Sequence, residues 1–166
     1  MDELVERVDD QGRVLGVVGR RQAVQEGWLH RIASTVCRDG RGRVLIHRRS
    51  EQLLRFPGHY EAVVGGAVKV GESYEQAAAR ELAEELGVRV PVRLLFAFIN
   101  RSGLSPHWLG MHEAVVPDAV VPDPDEVAWH GWLTEPELRR ALREWRFTPD
   151  SHEAFGRYLA FRAARP

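Results

Sequence analysis

Three glutamates and one arginine fall within one short segment of this 166-residue chain. On a helix with about 3.6 residues per turn, Glu81, Glu84 and Glu85 occupy roughly a third of the circumference. Like charges at this spacing repel each other, so we expect positive charge beside them. Arg80 supplies one charge and can pair with Glu72 or Glu84, and a divalent cation would supply more. Carboxylate oxygens select Mg²⁺ or Mn²⁺, although an acidic run by itself is more often a solvated helix face.

The helix that carries these residues is predicted over positions 73–86. Ser73 can cap its N-terminus, and Gln76 is placed to complete a capping box. Gly87 lies just past its end, where a left-handed residue closes many helices. Four apolar side chains recur every fourth residue and should face a sheet, namely Tyr74, Ala78, Leu82 and Leu86. The three glutamates then lie on the neighbouring arc.

The full spacing around this helix resembles a known motif. Gly66, five residues, Glu72, seven residues and the run from Arg80 to Gly87 match the Nudix box at every specified position. By this resemblance the box covers residues 66–88. A match at this many fixed positions is a far more specific signal than the acidic run alone.

The resemblance implies a hydrolase that depends on Mg²⁺, with Mn²⁺ as the alternative. Its substrate would be a nucleoside diphosphate linked to another group X, cleaved at the diphosphate. The implied metal ligands are the carboxylates of Glu81, Glu84 and Glu85 and the carbonyl of Gly66. Arg80 and Glu72 resemble groups that orient those ligands for catalysis.

The resemblance leaves two sources for the general base that activates water. Glu81 is one, and a carboxylate of the acidic loop at residues 117–126 is the other. Within that loop Glu126 is the candidate, ahead of Asp123 and Asp125, because many Nudix domains place an additional glutamate in this part of the chain. Without this role the loop is a solvated turn between prolines.

The region before the box resembles the type I isopentenyl diphosphate isomerases, which share the Nudix fold. The resemblance rests on His30, on residues 44–49 and on the Phe-Pro-Gly run at residues 56–58. His30 falls where those enzymes have a metal-binding histidine, but its partner histidines are missing, so a structural histidine is the prediction and a metal ligand the alternative. Arg49 falls where those enzymes have a basic residue for diphosphate. Arg48 and Arg49 point to opposite faces of a strand, so at most one reaches the site. Arg49 is the candidate for substrate binding, and two solvated arginines are the alternative.

The isomerase chemistry itself does not carry over. Those enzymes use a Cys-x-His arrangement, and an alignment without gaps places Gly65 and Ala67 at its two positions. The only cysteine, Cys37, lies on another strand and is expected to be a small buried residue. The hydrolase is therefore the prediction, an isomerase the first alternative, and a non-catalytic module that senses a nucleotide the second. The sequence does not identify X. The candidate substrates are nucleoside di- and triphosphates, dinucleotides, nucleotide sugars and prenyl diphosphates.

Other aromatic and imidazole side chains are given structural roles. Trp108, Trp129 and Trp132 lie on predicted strands, where packing in the core is the expected role, although one could stack on a planar substrate group. His107 and His112 lack the spacing of metal ligands and are assigned no function.

Strands and helices are predicted along the whole chain. Residues 4–8 and 14–18 form an N-terminal hairpin, and residues 29–38 and 44–49 a second one. Gly65 and Gly66 separate two short strands at residues 60–64 and 67–70. The remaining strands are predicted at 94–100, 108–116 and 127–133, and the remaining helices at 134–144 and 148–163.

Residues 1–166 are predicted to form a single Nudix domain, with residues 1–28 as an N-terminal extension. The fold class is α/β (α+β). It is expected to be the Nudix α/β/α sandwich, with a mixed central sheet and an N-terminal β-hairpin extension.

Composition and charge exclude some classes of binding partner. A net charge of −1 gives no basic surface for nucleic acid. No apolar run approaches the roughly 20 residues that span a bilayer, and the acidic start lacks the form of a signal peptide. We therefore expect a cytoplasmic enzyme whose partner is a small-molecule nucleotide or other diphosphate. A homodimer is compatible with the sequence, since symmetric pairs are the commonest oligomers.

Overall fold

The computed structural model describes residues 1–165, which form nine strands and four helices. The strands are β1 (Leu4–Val8), β2 (Val14–Gly19), β3 (Arg31–Arg38), β4 (Val44–Arg49), β5 (Tyr60–Glu61), β6 (Val64–Ala67), β7 (Arg93–Asn100), β8 (His107–Val115) and β9 (Val127–Leu133). The helices are α1 (Arg20–Glu26), α2 (Tyr74–Leu86), α3 (Glu135–Glu144) and α4 (Pro149–Ala163). In this part of the chain, no helix has the length and apolar character needed to cross a membrane.

The N-terminal hairpin is confirmed. β1 and β2 pair antiparallel and form a two-stranded sheet of their own. α1 follows β2 directly and ends at Gly27, whose φ of 67° is left-handed. Val5 of β1 is fully buried with Ala23 of α1 and Ala67 of β6. The hairpin and α1 therefore pack on β6 through an apolar contact of their own.

The central sheet is mixed, as predicted. β3 pairs in parallel with β8, from Arg31 opposite Trp108 to Arg38 opposite Val115. β6 pairs with the other edge of β3, and β7 pairs with β8, both antiparallel. β4 pairs antiparallel with β5 and β9.

The predicted hairpin of β3 and β4 is wrong beyond its turn. The turn itself is tight, because Asp39 accepts hydrogen bonds from the backbone N–H groups of Arg41 and Arg43, at 2.9 and 2.8 Å. Past it, the strands pair only where Arg38 is opposite Val44. A strand has two edges, and those of β3 are taken by β6 and β8, so β4 pairs with other strands.

Helices cover both faces of the sheet. Successive strand residues point to opposite faces, and the neighbours Val36 and Cys37 of β3 join different apolar clusters. Val36 packs in the cluster that holds Leu138 of α3 and Phe155 of α4. Cys37 is buried in the cluster that holds Leu82 of α2. The α/β/α sandwich is therefore confirmed, and Cys37 is the small buried residue that was expected.

Helix α2 has both predicted caps. The hydroxyl of Ser73 accepts a hydrogen bond from the backbone N–H of Gln76 at 3.1 Å, and the Gln76 side chain accepts one from the Ser73 N–H at 2.9 Å. Gly87 closes the other end with a φ of 68°. Leu82 and Leu86 are buried, so the predicted apolar stripe faces the sheet.

Gly65 and Gly66 lie inside β6, so the strand break predicted at these glycines is wrong. A Cβ on Gly65 would collide with the backbone oxygen of Ala33 in β3. A Cβ on Gly66 would collide with the carboxylate of Glu81 in α2. The two glycines let β6 lie close to its neighbours and do not form a turn. A sequence alone does not distinguish these two roles of glycine.

Gly65→Ala should lower the free energy of unfolding by about 1–3 kcal/mol, because the new Cβ meets a backbone atom that moves only with β3. Gly16→Ala in β2 is the matched control, since nothing lies within 4 Å of a Cβ there. The control should change stability by less than about 0.5 kcal/mol. Urea denaturation followed by fluorescence measures both variants. Equal midpoints and slopes would contradict the close approach of β6 to β3.

Candidate active site

A cavity of about 360 Å³ is lined by residues of α1, α2 and α4 and of several strands. Five of the predicted site residues line it, namely Arg49, Gly66, Glu81, Glu85 and Glu126. The other three, Glu72, Arg80 and Glu84, are not part of its lining. Helix α2 thus presents two of its three box glutamates to the cavity.

The Arg80 guanidinium ties three parts of the box together. Its Nε and Nη2 donate to the two carboxylate oxygens of Glu72, at 2.7 and 3.0 Å. Nη1 donates to Glu81 at 2.7 Å, and Nη2 also donates to the carbonyl of Ala67 at 3.0 Å. The hydrogen bond to Glu72 raises the pKa of Arg80 and lowers the pKa of Glu72. These contacts give Arg80 and Glu72 the geometry for the orienting role that the sequence predicts.

Glu81 and Glu84 differ in their surroundings. The Glu81 carboxylate occupies the space that a Cβ on Gly66 would need. Burial raises the pKa of Glu81, and the neighbouring Arg80 offsets part of that rise. The Glu84 side chain is 56% exposed, and its Oε2 lies 3.4 Å from Nη1 of Arg80. Its role as a metal ligand stays a prediction.

Among the carboxyls of this site, Glu85 has the pKa that is raised most. Burial raises its pKa well above the ordinary range, and Glu81, Glu61 and Glu126 raise it further, whereas Arg49 opposes the rise. A cation among these carboxylates would remove the repulsion, and oxygen donors of this kind suit Mg²⁺ or Mn²⁺. In residues 1–165 no three His, Cys, Asp or Glu side chains lie close enough together to form a complete metal-binding set. What fits the metal that the box implies is the chemistry of the donors, since the carboxylates of Glu81, Glu85 and Glu126 line one cavity.

Glu61 and His47 line the same cavity but belong to no sequence motif. The Nε2 of His47 lies 3.0 Å from one Glu61 oxygen, and Arg49 Nη1 donates to the other at 3.2 Å. Burial would raise the pKa of Glu61, but these two partners hold it below its ordinary value. The one signal in the sequence is the alternation of β4, which puts His47 and Arg49 on one face. The strand register that places His47 opposite Glu61 has no local signature.

Arg49 is one of three arginines in the lining, with Arg20 and Arg55. Burial lowers the pKa of Arg55, and the charges of Arg20 and Arg49 lower it further, so positive charge is concentrated along this cavity. Such a cluster attracts anions. Arg48 lies outside the lining and pairs with Glu51 at 3.5 Å, as strand alternation predicts for one of two adjacent arginines. Sequence reasoning missed Arg20 and Arg55 because they come from the extension and from a loop.

The remaining candidate residues differ in whether they line the cavity. His30 lines the cavity and is 1% exposed. A structural role stays the prediction for it, with metal binding as the alternative. The three candidate tryptophans do not line the cavity. Trp108 Nε1 donates to the Asp9 carbonyl at 2.9 Å, Trp129 meets Tyr60 edge-on, and Trp132 packs on the cluster beside α2. In the acidic loop, Asp123 accepts a hydrogen bond from the backbone N–H of Asp125 at 3.0 Å, and only Glu126 reaches the lining.

The surroundings of Gly65 bear on the isomerase alternative. This is the position of the isomerase cysteine, and the Ala33 carbonyl oxygen leaves no room there for a Cβ. The one thiol of the chain, Cys37, is buried away from the lining, and burial raises its pKa to about 12. The cavity therefore lacks the cysteine on which isomerase chemistry depends.

Comparison with known proteins identifies the family. A family model described as the NUDIX domain matches residues 28–154. An uncharacterized Nudix hydrolase of Streptomyces coelicolor is 43% identical over 166 residues, which cover 98% of this chain and 92% of that protein. The uncharacterized Nudix hydrolase YfcD of Escherichia coli K12 is 31% identical over 158 residues, which cover 95% of this chain and 87% of that protein.

The crystal structure of DR0079 from Deinococcus radiodurans is similar over 99% of this chain and 100% of that one. The TM-score is 0.79 and the sequence identity 26%. None of these similarities specifies the isomerase-like subgroup. Together with the box and the sandwich fold, they show that the chain belongs to the Nudix hydrolase family.

Proposed function

We propose that this protein is a Mg²⁺-dependent hydrolase, with Mn²⁺ as the alternative, that cleaves the diphosphate linkage of a nucleoside diphosphate joined to X. The observation that carries the proposal is the half-buried carboxyl of Glu85, which lines one cavity together with Glu61, Glu81 and Glu126. Burial and these three carboxylates all raise its pKa. Buried charges are ordinarily paired with opposite charge. Carboxylates gathered on one cavity wall are therefore suited to a divalent cation and the phosphates it accompanies.

The proposed metal ligands are Glu81, Glu85 and the carbonyl of Gly66, with Glu84 as the further carboxylate. When bound, the metal would supply positive charge that offsets the charge developing on the cleaved phosphate and would make a bound water more acidic. Arg80 acts behind these ligands, since its 2.7 Å hydrogen bond fixes the Glu81 carboxylate. It is a positioning residue and not a catalytic one.

A carboxylate takes the proton of the attacking water. Glu81 and Glu126 are the two candidates, because both line the cavity and a base must come within hydrogen-bond reach of the water. Arg49 would bind substrate phosphate, whose oxygens match the two-pronged guanidinium. Glu61 positions Arg49 through the 3.2 Å hydrogen bond between them. That the protein forms a homodimer stays a prediction, which light scattering would test. The steps above do not depend on it.

Glu85→Gln should lower metal-dependent kcat/KM by at least about 1,000-fold, because it removes a charged ligand without changing the shape of the side chain. Mass spectrometry would identify products formed from a panel of nucleoside diphosphate derivatives and isopentenyl diphosphate. Glu75→Gln, at an exposed position of the same helix, is the matched control and should keep full activity.

Each other result of this assay has a defined meaning. Full activity of Glu85→Gln would remove the proposed site. Movement of the double bond in isopentenyl diphosphate would replace hydrolysis with the isomerase alternative. Ligand-induced thermal stabilisation without turnover of any panel member would identify a sensing module.

The stability of the metal-free protein should depend on pH through Glu85. Its folded-state pKa is raised, so its contribution to stability is fully present below the ordinary glutamate pKa and is lost as the pH rises through the folded value. Glu85→Gln should therefore match the wild type near pH 4 and be the more stable protein at pH 8. Thermal unfolding in EDTA measures this, with Glu75→Gln as control. A difference that stays constant with pH would contradict the raised pKa.

A further inference from the structure

An ion pair connects the N-terminal extension to the strand that begins the central sheet. Nη2 of Arg31, at the start of β3, donates to Oε1 of Glu6 in β1 at 2.6 Å. The two side chains are 18% and 16% exposed, so the pair is largely withdrawn from solvent. Water and salt screen such a pair less than one on the open surface. The extension is therefore joined to the domain by a polar contact as well as by its apolar one.

Both members of this pair also bind the backbone of the loop that leads into α2. Oε1 of Glu6 accepts a hydrogen bond from the N–H of Gly71 at 3.3 Å. Nη2 of Arg31 donates to the carbonyl oxygen of Glu72 at 3.4 Å. These are neighbouring residues of the box, so the pair holds the loop on both sides of the peptide bond between them.

The loop gains from this hold because its own residues restrict it little. Gly71 has a left-handed φ of 82°, and within the described chain nothing lies within 4 Å of the place of a Cβ there. Glycine in such a position has more backbone freedom than any other residue. Val5, the neighbour of Glu6, lies opposite Lys69 in an antiparallel bridge and adds a backbone contact to the same loop.

The loop in turn carries the carboxylate that orients Arg80. Glu72 accepts hydrogen bonds from Nε and Nη2 of Arg80 at 2.7 and 3.0 Å. Nη1 of Arg80 donates to Glu81 at 2.7 Å. A shift of the loop backbone would therefore move the anchor of the guanidinium that fixes the Glu81 carboxylate.

We propose that Glu6 and Arg31 form a positioning pair, which holds the loop where its carboxylate can orient Arg80. The inference rests on the hydrolysis proposed above and adds two residues to its machinery. Neither member of the positioning pair lines the cavity, so the pair acts through the box and not on the substrate. Glu6 also lies outside residues 28–154, which the NUDIX family model matches. The box of this chain thus depends on a residue of its N-terminal extension.

The first test is ¹H–¹⁵N NMR of the protein without metal, so that it requires no turnover. The Nε–H of Arg80 is hydrogen-bonded to Glu72 and should exchange slowly with water. Glu6→Ala removes the positioning pair, so this exchange should become about 10-fold faster, the effect of one lost hydrogen bond.

Val8→Ala is the matched control for a loosened extension. Val8 lies in the same strand as Glu6, and its apolar side chain is buried at 2% exposure. This variant destabilises the hairpin but keeps the positioning pair. Its Arg80 Nε–H exchange should change less than about 2-fold, because hydrogen exchange reports local opening.

The second test is steady-state kinetics with Mg²⁺ and whichever panel member is cleaved. Glu6→Ala should lower kcat about 10-fold and change KM less than about 2-fold, because the pair orders the box and does not touch the cavity. Glu6→Gln keeps an oxygen that accepts from Gly71 and Arg31, and it should restore most of kcat. Val8→Ala should keep the wild-type kcat.

Three results would overturn the inference: unchanged Arg80 exchange in Glu6→Ala, equal effects of Val8→Ala and Glu6→Ala, or no recovery of kcat in Glu6→Gln. If Glu6→Ala is not folded by circular dichroism, Arg31→Gln removes the other member of the pair and should give the same results. Faster exchange without cleavage of any panel member would keep the positioning pair and reject the hydrolysis. Cleavage with unchanged exchange would keep the hydrolysis and reject the positioning pair.

Discussion

The guanidinium of Arg80 fixes the arrangement on which the rest of the site depends. It bonds both oxygens of Glu72, one oxygen of Glu81 and the carbonyl of Ala67, so the loop before α2, the helix itself and the end of β6 keep one relative position. An arginine can do this because its donors lie in one plane and point in several directions. The positive charge of Arg80 also offsets the repulsion among the glutamates of α2. Glu85 takes no part in these hydrogen bonds and faces the cavity.

A second constraint is the distance between α2 and the sheet. Gly66 leaves the space that the Glu81 carboxylate fills, and Gly65 lets β6 approach the backbone of β3. Gly110 of β8 likewise leaves room for the ring of Tyr74 at the start of α2. Gly66 and Gly110 thus let the helix lie close enough to the strands for its carboxylates to share a cavity with groups from β4 and β8, while Gly65 keeps β6 against β3.

Local signals predicted the local parts of this structure. Ser73 and Gly87 mark the ends of α2 because caps are made by residues next to the helix. The pairing of β3 was mispredicted because β6 and β8, which lie far from β3 in the sequence, occupy its two edges. The role of Gly65 was mispredicted because a glycine that allows close approach has no other signature in the sequence. The box residues lie in one contiguous pattern, so they were found. The missed cavity residues are brought together only by strand register and loop packing: Arg20, His47, Arg55, Glu61 and His107.

The N-terminal extension is a separate two-stranded sheet that packs through Val5, yet Arg20, at the start of the helix that follows it, lines the cavity. None of the box carboxylates belongs to this segment. Changes in its length or sequence that keep Glu6 in place can therefore alter what the cavity accepts while the catalytic centre is inherited unchanged. Selection for a new substrate and selection for the reaction itself then act on different stretches of the same gene.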